Sequence, residues 1–154
     1  MKNSKKTLLT ALSIAINCAI QTAAADTILR RGNGVEPKGI DPQTSEGTAE
    51  ANIMRDLFEG LLARDRDINL IPGIAEKWDI SADGKTYTFH LRHNAKWSDG
   101  TPLTAHDFVY GWQRAVNPET GSHYSFLLYP VKNAQKIAEG HEKDVNQLGV
   151  KATD

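Results

Sequence analysis

The sequence predicts a mixed α/β (α+β) chain, and three patterns carry that prediction. Ile53, Leu57 and Leu61 recur at i, i+4 and i+8, with Met54 and Phe58 widening the stripe, as on one face of a helix. Tyr87, Phe89 and Leu91 alternate with Thr88, His90 and Arg92, the period of two of a half-buried strand. Phe108, Trp112 and Val116 return to helical spacing. At 154 residues the chain is about one domain's worth, on a prior of roughly 100–200 residues per domain. Its 40% hydrophobic and 24% charged residues are those of a folded domain and not of a disordered one.

Residues 1–25 read as a secretory signal. Lys2, Lys5 and Lys6 form a positive start, Leu8 to Ile20 is a short apolar run, and Ala23 and Ala25 are the small pair read at cleavage. A membrane span needs about 18–20 apolar residues, more than this run has. Cleavage is expected after Ala25. The single cysteine, Cys18, follows Asn17, where a lipidation signal needs a small residue, so no lipid anchor is expected. Removal of residues 1–25 takes away three of the 18 Lys+Arg and none of the 19 Asp+Glu, leaving a formal charge of −4 on an exported chain without cysteine. Internal disulfides and multi-thiolate zinc sites are thereby excluded. No basic stripe is present, so nucleic acid is not an expected partner.

Along the mature chain, Thr27 to Arg31 is a short β-prone segment running into a loop through Gly32, Gly34, Pro37, Gly39 and Pro42. A helix is expected to start near Ser45 to Thr48, where either hydroxyl can cap it and Glu46 and Glu50 suit its positive end. Gly60 is its expected stop. Leu70-Ile71-Pro72-Gly73 reads as a turn. Glu76 to Ile80 and Lys85 to Arg92 read as two strands of a hairpin through Asp83-Gly84, with one face buried, one wet, and Trp78 across from the aromatic face. Trp97 to Pro102 is a tight loop, and Thr104 with Asp107 is a capping box that opens the helix ended by Pro118. A further helical segment is expected between Ser125 and Glu139, interrupted at Pro130 and closed by Gly140, before Gly149 to Asp154, which reads as the start of a strand with no partner.

Few residues carry chemistry by spacing. His90 and His93 stand three apart on a strand and face opposite ways, and His106, His123 and His141 are scattered, so no metal site is expected. Gly32-x-Gly34 follows a β-prone segment, but Pro37 stands where a third glycine of a dinucleotide fingerprint belongs. No nucleophile elbow, phosphate loop or Cys/His pair is present, which disfavours a hydrolase, and no enzyme activity or cofactor is expected. Trp78, Trp97 and Trp112 read as packing residues before they read as a ligand wall.

Several ordered blocks resemble a known family. They are Ile40-Asp41-Pro42, Arg55-Asp56-Leu57-Phe58-Glu59-Gly60-Leu61-Leu62 and Pro72-Gly73-Ile74-Ala75-Glu76-Lys77-Trp78. Tyr87-Thr88-Phe89-His90-Leu91-Arg92, Ala95-Lys96-Trp97-Ser98-Asp99-Gly100-Thr101-Pro102 and Asp107-Phe108-Val109-Tyr110-Gly111-Trp112-Gln113-Arg114 complete the set. In this order they resemble the bacterial extracellular solute-binding proteins of family 5, most closely the oligopeptide-binding members. The resemblance implies the N-terminal part of a two-lobed, type II-like periplasmic binding protein with the family's extra subdomain. Its partners would be oligopeptides and the membrane permease of an ATP-binding-cassette importer, and it would act as a monomer in the periplasm.

Members of the family are several times longer. The resemblance therefore makes residues 26–154 the start of the first lobe plus most of the extra subdomain, ending before the second lobe and the hinge. Weak peptide binding, or none, is expected of such a portion alone. By the same resemblance Glu46, Gly47, Thr48 and Tyr124 fall at ligand-contacting positions, Thr48 through its backbone because an apolar residue stands there in the family. A helix cap and simple packing are the structural alternatives for these residues. Two other functions stay open: a chaperone-like interaction fragment with an exposed apolar face, and a dipeptide, haem or nickel receptor of the same family.

Overall fold

The computed structural model describes residues 28–153. The chain divides into Met1–Gly32 and Asn33–Asp154. Of the first unit only residues 28–32 are described, and 28–31 form no strand, contrary to expectation. A strand exists only through a ladder, and β-prone residues alone do not supply one. The proposed signal and Cys18 lie outside the described residues.

The second unit opens with a loop and helix α1, Thr48–Leu57. The helix ends earlier than its apolar stripe suggests, because Phe58 is extended (φ −122°, ψ 140°) and Leu61 lies beyond it. Gly60 and Leu61 instead offer their carbonyls to the amides of Ile74, at 2.9 Å, and of Gly73 and Ala75, at 3.2 and 3.0 Å. Backbone partners from a later segment outcompete continuation of the helix.

Strands β1, Leu62–Arg64, and β2, Leu70–Pro72, pair antiparallel with Leu62 opposite Pro72. The turn read at Leu70–Gly73 is thus a strand. Proline is tolerated there because it sits at the end of a two-stranded ribbon. Asp65 shapes the connecting turn, its Oδ1 accepting the Asp67 and Asn69 amides at 2.8 and 2.9 Å.

Strands β3, Ala75–Ile80, and β4, Tyr87–Leu91, form the expected hairpin. Trp78 stands directly opposite Phe89 and Ile80 opposite Tyr87, with an irregularity between Ala75 and Lys77. Gly84 takes φ +70°, which a side chain would strain. On the polar face Asp79 Oδ2 lies 2.7 Å from His90 Nε2. The apolar face is not buried as expected: Ile80 and Tyr87 are each 53% exposed. A two-stranded ribbon has little of its own to cover that face.

The 96–102 loop closes through the Trp97 amide on the Thr101 carbonyl at 2.9 Å, with Asp99 Oδ1 taking the Thr101 amide and hydroxyl. Helix α2, Ala105–Val116, then begins at the predicted capping box. There the Thr104 amide donates to Asp107 Oδ2 at 2.7 Å. That bond, joined by the Thr104 hydroxyl and the Trp97 indole, holds the Asp107 carboxyl below the usual carboxylate range against its partial burial. Short 3-10 turns at Pro118–Thr120 and Ser125–Leu128 lead to helix α3, Ala134–Ala138. The break falls around Pro130, as the sequence suggests, and Gly140 (φ +75°) follows the helix.

The end of the chain differs from expectation. Instead of a strand at Gly149 there is a 3-10 turn at Val145–Gln147, and the Gly149 amide donates to the Lys132 carbonyl at 2.8 Å. This bond brings Leu148 into the main core with Val116, Ala134 and Ile137, ringed by Trp112, Leu128 and Val131. Trp78 sits on β3, Trp97 in the 96–102 loop, and Trp112 on α2 against the main core.

Candidate functional site

The segment before α1 is held in place by α2. Arg114 grips Asp41 with two prongs, Nη1 to Oδ1 at 2.8 Å and Nη2 to Oδ2 at 2.5 Å, and also donates to Gln43 Oε1. Gln43 Nε2 in turn donates to the Gly111 carbonyl at 2.8 Å. The Arg114 bond, helped by the Gln43 amide, holds the Asp41 carboxyl at about 2, against 3.8 for an ordinary aspartate. Within the segment, the Asp41 carbonyl accepts from the Ser45 amide at 3.0 Å and the Ser45 hydroxyl at 2.7 Å. Ser45 is thus spent on the loop and does not cap the helix.

The cap is Gly47, and Thr48 is the first helical residue. Neither Ser45 nor Thr48 supplies the expected hydroxyl cap. Glu50, in the first turn, is instead turned towards the preceding loop. It is 5% exposed, and its carboxylate takes the Lys38 amide at 2.8 Å. That bond, then its own amide and to a lesser degree the Gly47 amide, hold the Glu50 carboxyl below the usual carboxylate range. A Cβ at position 47 would fall 2.0 Å from Glu50 Oε2, so glycine here makes room for the Glu50 carboxylate.

This packing leaves a groove of about 370 Å³ between three walls. Ser45, Glu46 and Gly47 form one wall, Met54 and Arg55 of α1 a second, and Tyr124 and Leu127 the third. The Tyr124 hydroxyl donates to the Glu46 carbonyl at 3.3 Å, and its ring tilts against Phe126 at 6.0 Å between centroids. His123 Nε2 lies 2.9 Å from Glu46 Oε1. Backbone polarity, one carboxylate and one guanidinium thus share the groove with apolar side chains, an arrangement suited to a ligand with amides and variable side chains. Nothing in it resembles a nucleophile with its base.

Three of the four residues singled out in the sequence, Glu46, Gly47 and Tyr124, meet at this groove, while Thr48 is not among its lining residues. His123, beside the groove, and Arg55 and Leu127, which line it, were not among the site residues read from the sequence. Only adjacency to Tyr124 could have drawn attention to His123, since no periodicity marks a loop histidine. Among the described residues no helix is long and apolar enough to cross a membrane.

A family model for "Bacterial extracellular solute-binding proteins, family 5 Middle" matches residues 69–154. The chain is 50% identical over 146 residues to the periplasmic oligopeptide-binding protein OppA of Escherichia coli K12, covering 94% of this chain and 26% of that protein. It is 47% identical over 133 residues to the probable deoxycholate-binding periplasmic protein YgiS of the same organism, covering 85% and 25%. The crystal structure of Haemophilus influenzae OppA in complex with RPPGFSPFR superimposes with a TM-score of 0.75 at 49% identity, over 79% of this chain and 24% of that one. The chain spans about a quarter of the length of these relatives.

Proposed function

The chain belongs to family 5 of the bacterial extracellular solute-binding proteins, and from that membership we propose that it is the N-terminal portion of a periplasmic oligopeptide receptor serving an ATP-binding-cassette importer. The observation that carries the reading is the groove. Its apolar lining by Met54 and Leu127 and its polar backbone wall at Ser45–Gly47 fit a peptide held by its main chain with room for its side chains. Glu46, Gly47, Thr48 and Tyr124 are the ligand contacts in this reading, and the membrane permease receives the cargo. The receptor works as a monomer. Residues 1–25 direct export and are removed after Ala25, and residues 26–154 supply the start of the first lobe and most of the extra subdomain.

Identity alone does not choose the ligand, because the bile-acid-named relative is almost as similar as the peptide-named one. A residue-resolved titration does. Trilysine added to the isotopically labelled chain, up to about 10 mM to reach the millimolar affinity of a half-enclosed site, is expected to shift amide signals at 45–48 and 124–127. Shifts confined to other segments sink the peptide reading. A second reading, an interaction fragment that holds unfolded chains, is favoured by the exposure of Leu57, Phe58 and Leu127. It predicts shifts centred on Leu57 and Phe58 and indifference to peptide length.

A further inference from the structure

His123 and Glu46 meet at the rim of the groove, both largely in solvent. His123 Nε2 and Glu46 Oε1 stand 2.9 Å apart, yet the two side chains remain 71% and 52% exposed. The Tyr124 hydroxyl fixes the Glu46 main chain through its carbonyl, so the carboxylate is anchored at its base and free to change partner at its tip. Arg55 on the α1 wall is the other charged group that lines the groove. A pair this exposed shifts an equilibrium by roughly fivefold at most. It is strong enough to occupy the carboxylate oxygen and weak enough to be displaced from it.

Resting on the peptide-receptor reading, we infer that His123 is a specificity-determining residue: its Nε2–H is a stand-in donor on Glu46 that a lysine or arginine side chain of the ligand displaces. A neutral side chain leaves the pair intact. The groove therefore accepts both kinds of ligand, and His123 moderates a preference for cations that Glu46 alone would impose. Loss of His123 unmasks the carboxylate and sharpens selection, and loss of Glu46 abolishes it.

The test is the ratio of trilysine to trialanine affinity, measured by NMR titration of the whole chain. His123→Ala is expected to raise that ratio about three- to fivefold. His123→Lys, which keeps a donor on Glu46, should restore it, and Glu46→Gln should bring it down below the wild-type value. The imidazole signals of His123 should move with trilysine and stay still with trialanine. Both positions are exposed, so the core of the variants is untouched. An unchanged ratio in His123→Ala, with both peptides still bound, overturns this inference alone. Failure of the wild-type chain to bind either peptide likewise overturns this inference alone, whereas peptide-induced shifts confined to residues outside the groove overturn the peptide-receptor reading and this inference with it.

Discussion

Arg114 and Asp41 lie 73 residues apart in sequence and meet in a two-pronged ion pair, with guanidinium–carboxylate distances of 2.8 and 2.5 Å. The contact ties the loop that forms one wall of the groove to the helix that carries the main core. Each side chain is about a third exposed, which limits what the pair contributes to stability.

Asp41→Asn should therefore cost about 1 kcal/mol, the geometry lifting it to the top of the range for solvent-screened pairs. The Asp41 pKa is lowered on folding, to about 2 from 3.8. Its contribution is fully present above the unfolded value and is lost as pH falls through the folded one, between about pH 4 and pH 2. Urea midpoints of the wild type and Asp41→Asn should differ at pH 5 and converge near pH 2. A gap of constant size would show that the pair is not the source of the difference.

Ile137→Ala should cost about 2–5 kcal/mol, enough to threaten a core this small. Ile137 is 1% exposed and packs with Val116, Ala134 and Leu148. Because Trp112 rings the same cluster, its fluorescence should report the earlier thermal transition. An unshifted melt would mean that the 112–150 region is not the cooperative core.

Gly73→Ala should loosen the junction between the two hairpins. Its added Cβ would fall 2.6 Å from the Gly60 carbonyl oxygen and 3.0 Å from that of Leu61, backbone atoms that cannot swing aside. A cost of about 1–3 kcal/mol follows from such overpacking. Hydrogen exchange should speed up at the Ile74 and Ala75 amides, which bond to those same carbonyls.

The facing pair Trp78 and Phe89 should couple by roughly 0.2–1 kcal/mol in a double-mutant cycle with alanine. Zero coupling would mean that the aromatic face of the hairpin is not joined in solution.

The legible parts of the fold are those with local signals. Asp83-Gly84 between alternating residues marks the β3–β4 hairpin, and Thr104 with Asp107 marks the start of α2, because each depends on neighbours a few residues away. The end of α1 was not legible, since Gly60 and Leu61 are claimed by amides of residues 73–75. Nor was β2, where Pro72 resembles a turn until β1 is set beside it. At the groove, Glu46, Gly47 and Tyr124 were reached through family resemblance. His123 was not, because its meaning depends on where Glu46 lies in space.

By itself, then, the sequence determined the mixed helix-and-strand character, the capped helix α2, the aromatic hairpin and the family. Periodicity and turn chemistry act over a few residues and can be read without coordinates. Only the tertiary structure decided that Glu50 is buried on the Lys38 amide, that Asp41 answers Arg114, and that Glu46 is shared between Tyr124 and His123. Those arrangements depend on charges and carbonyls brought together by folding, and no spacing along the chain encodes them.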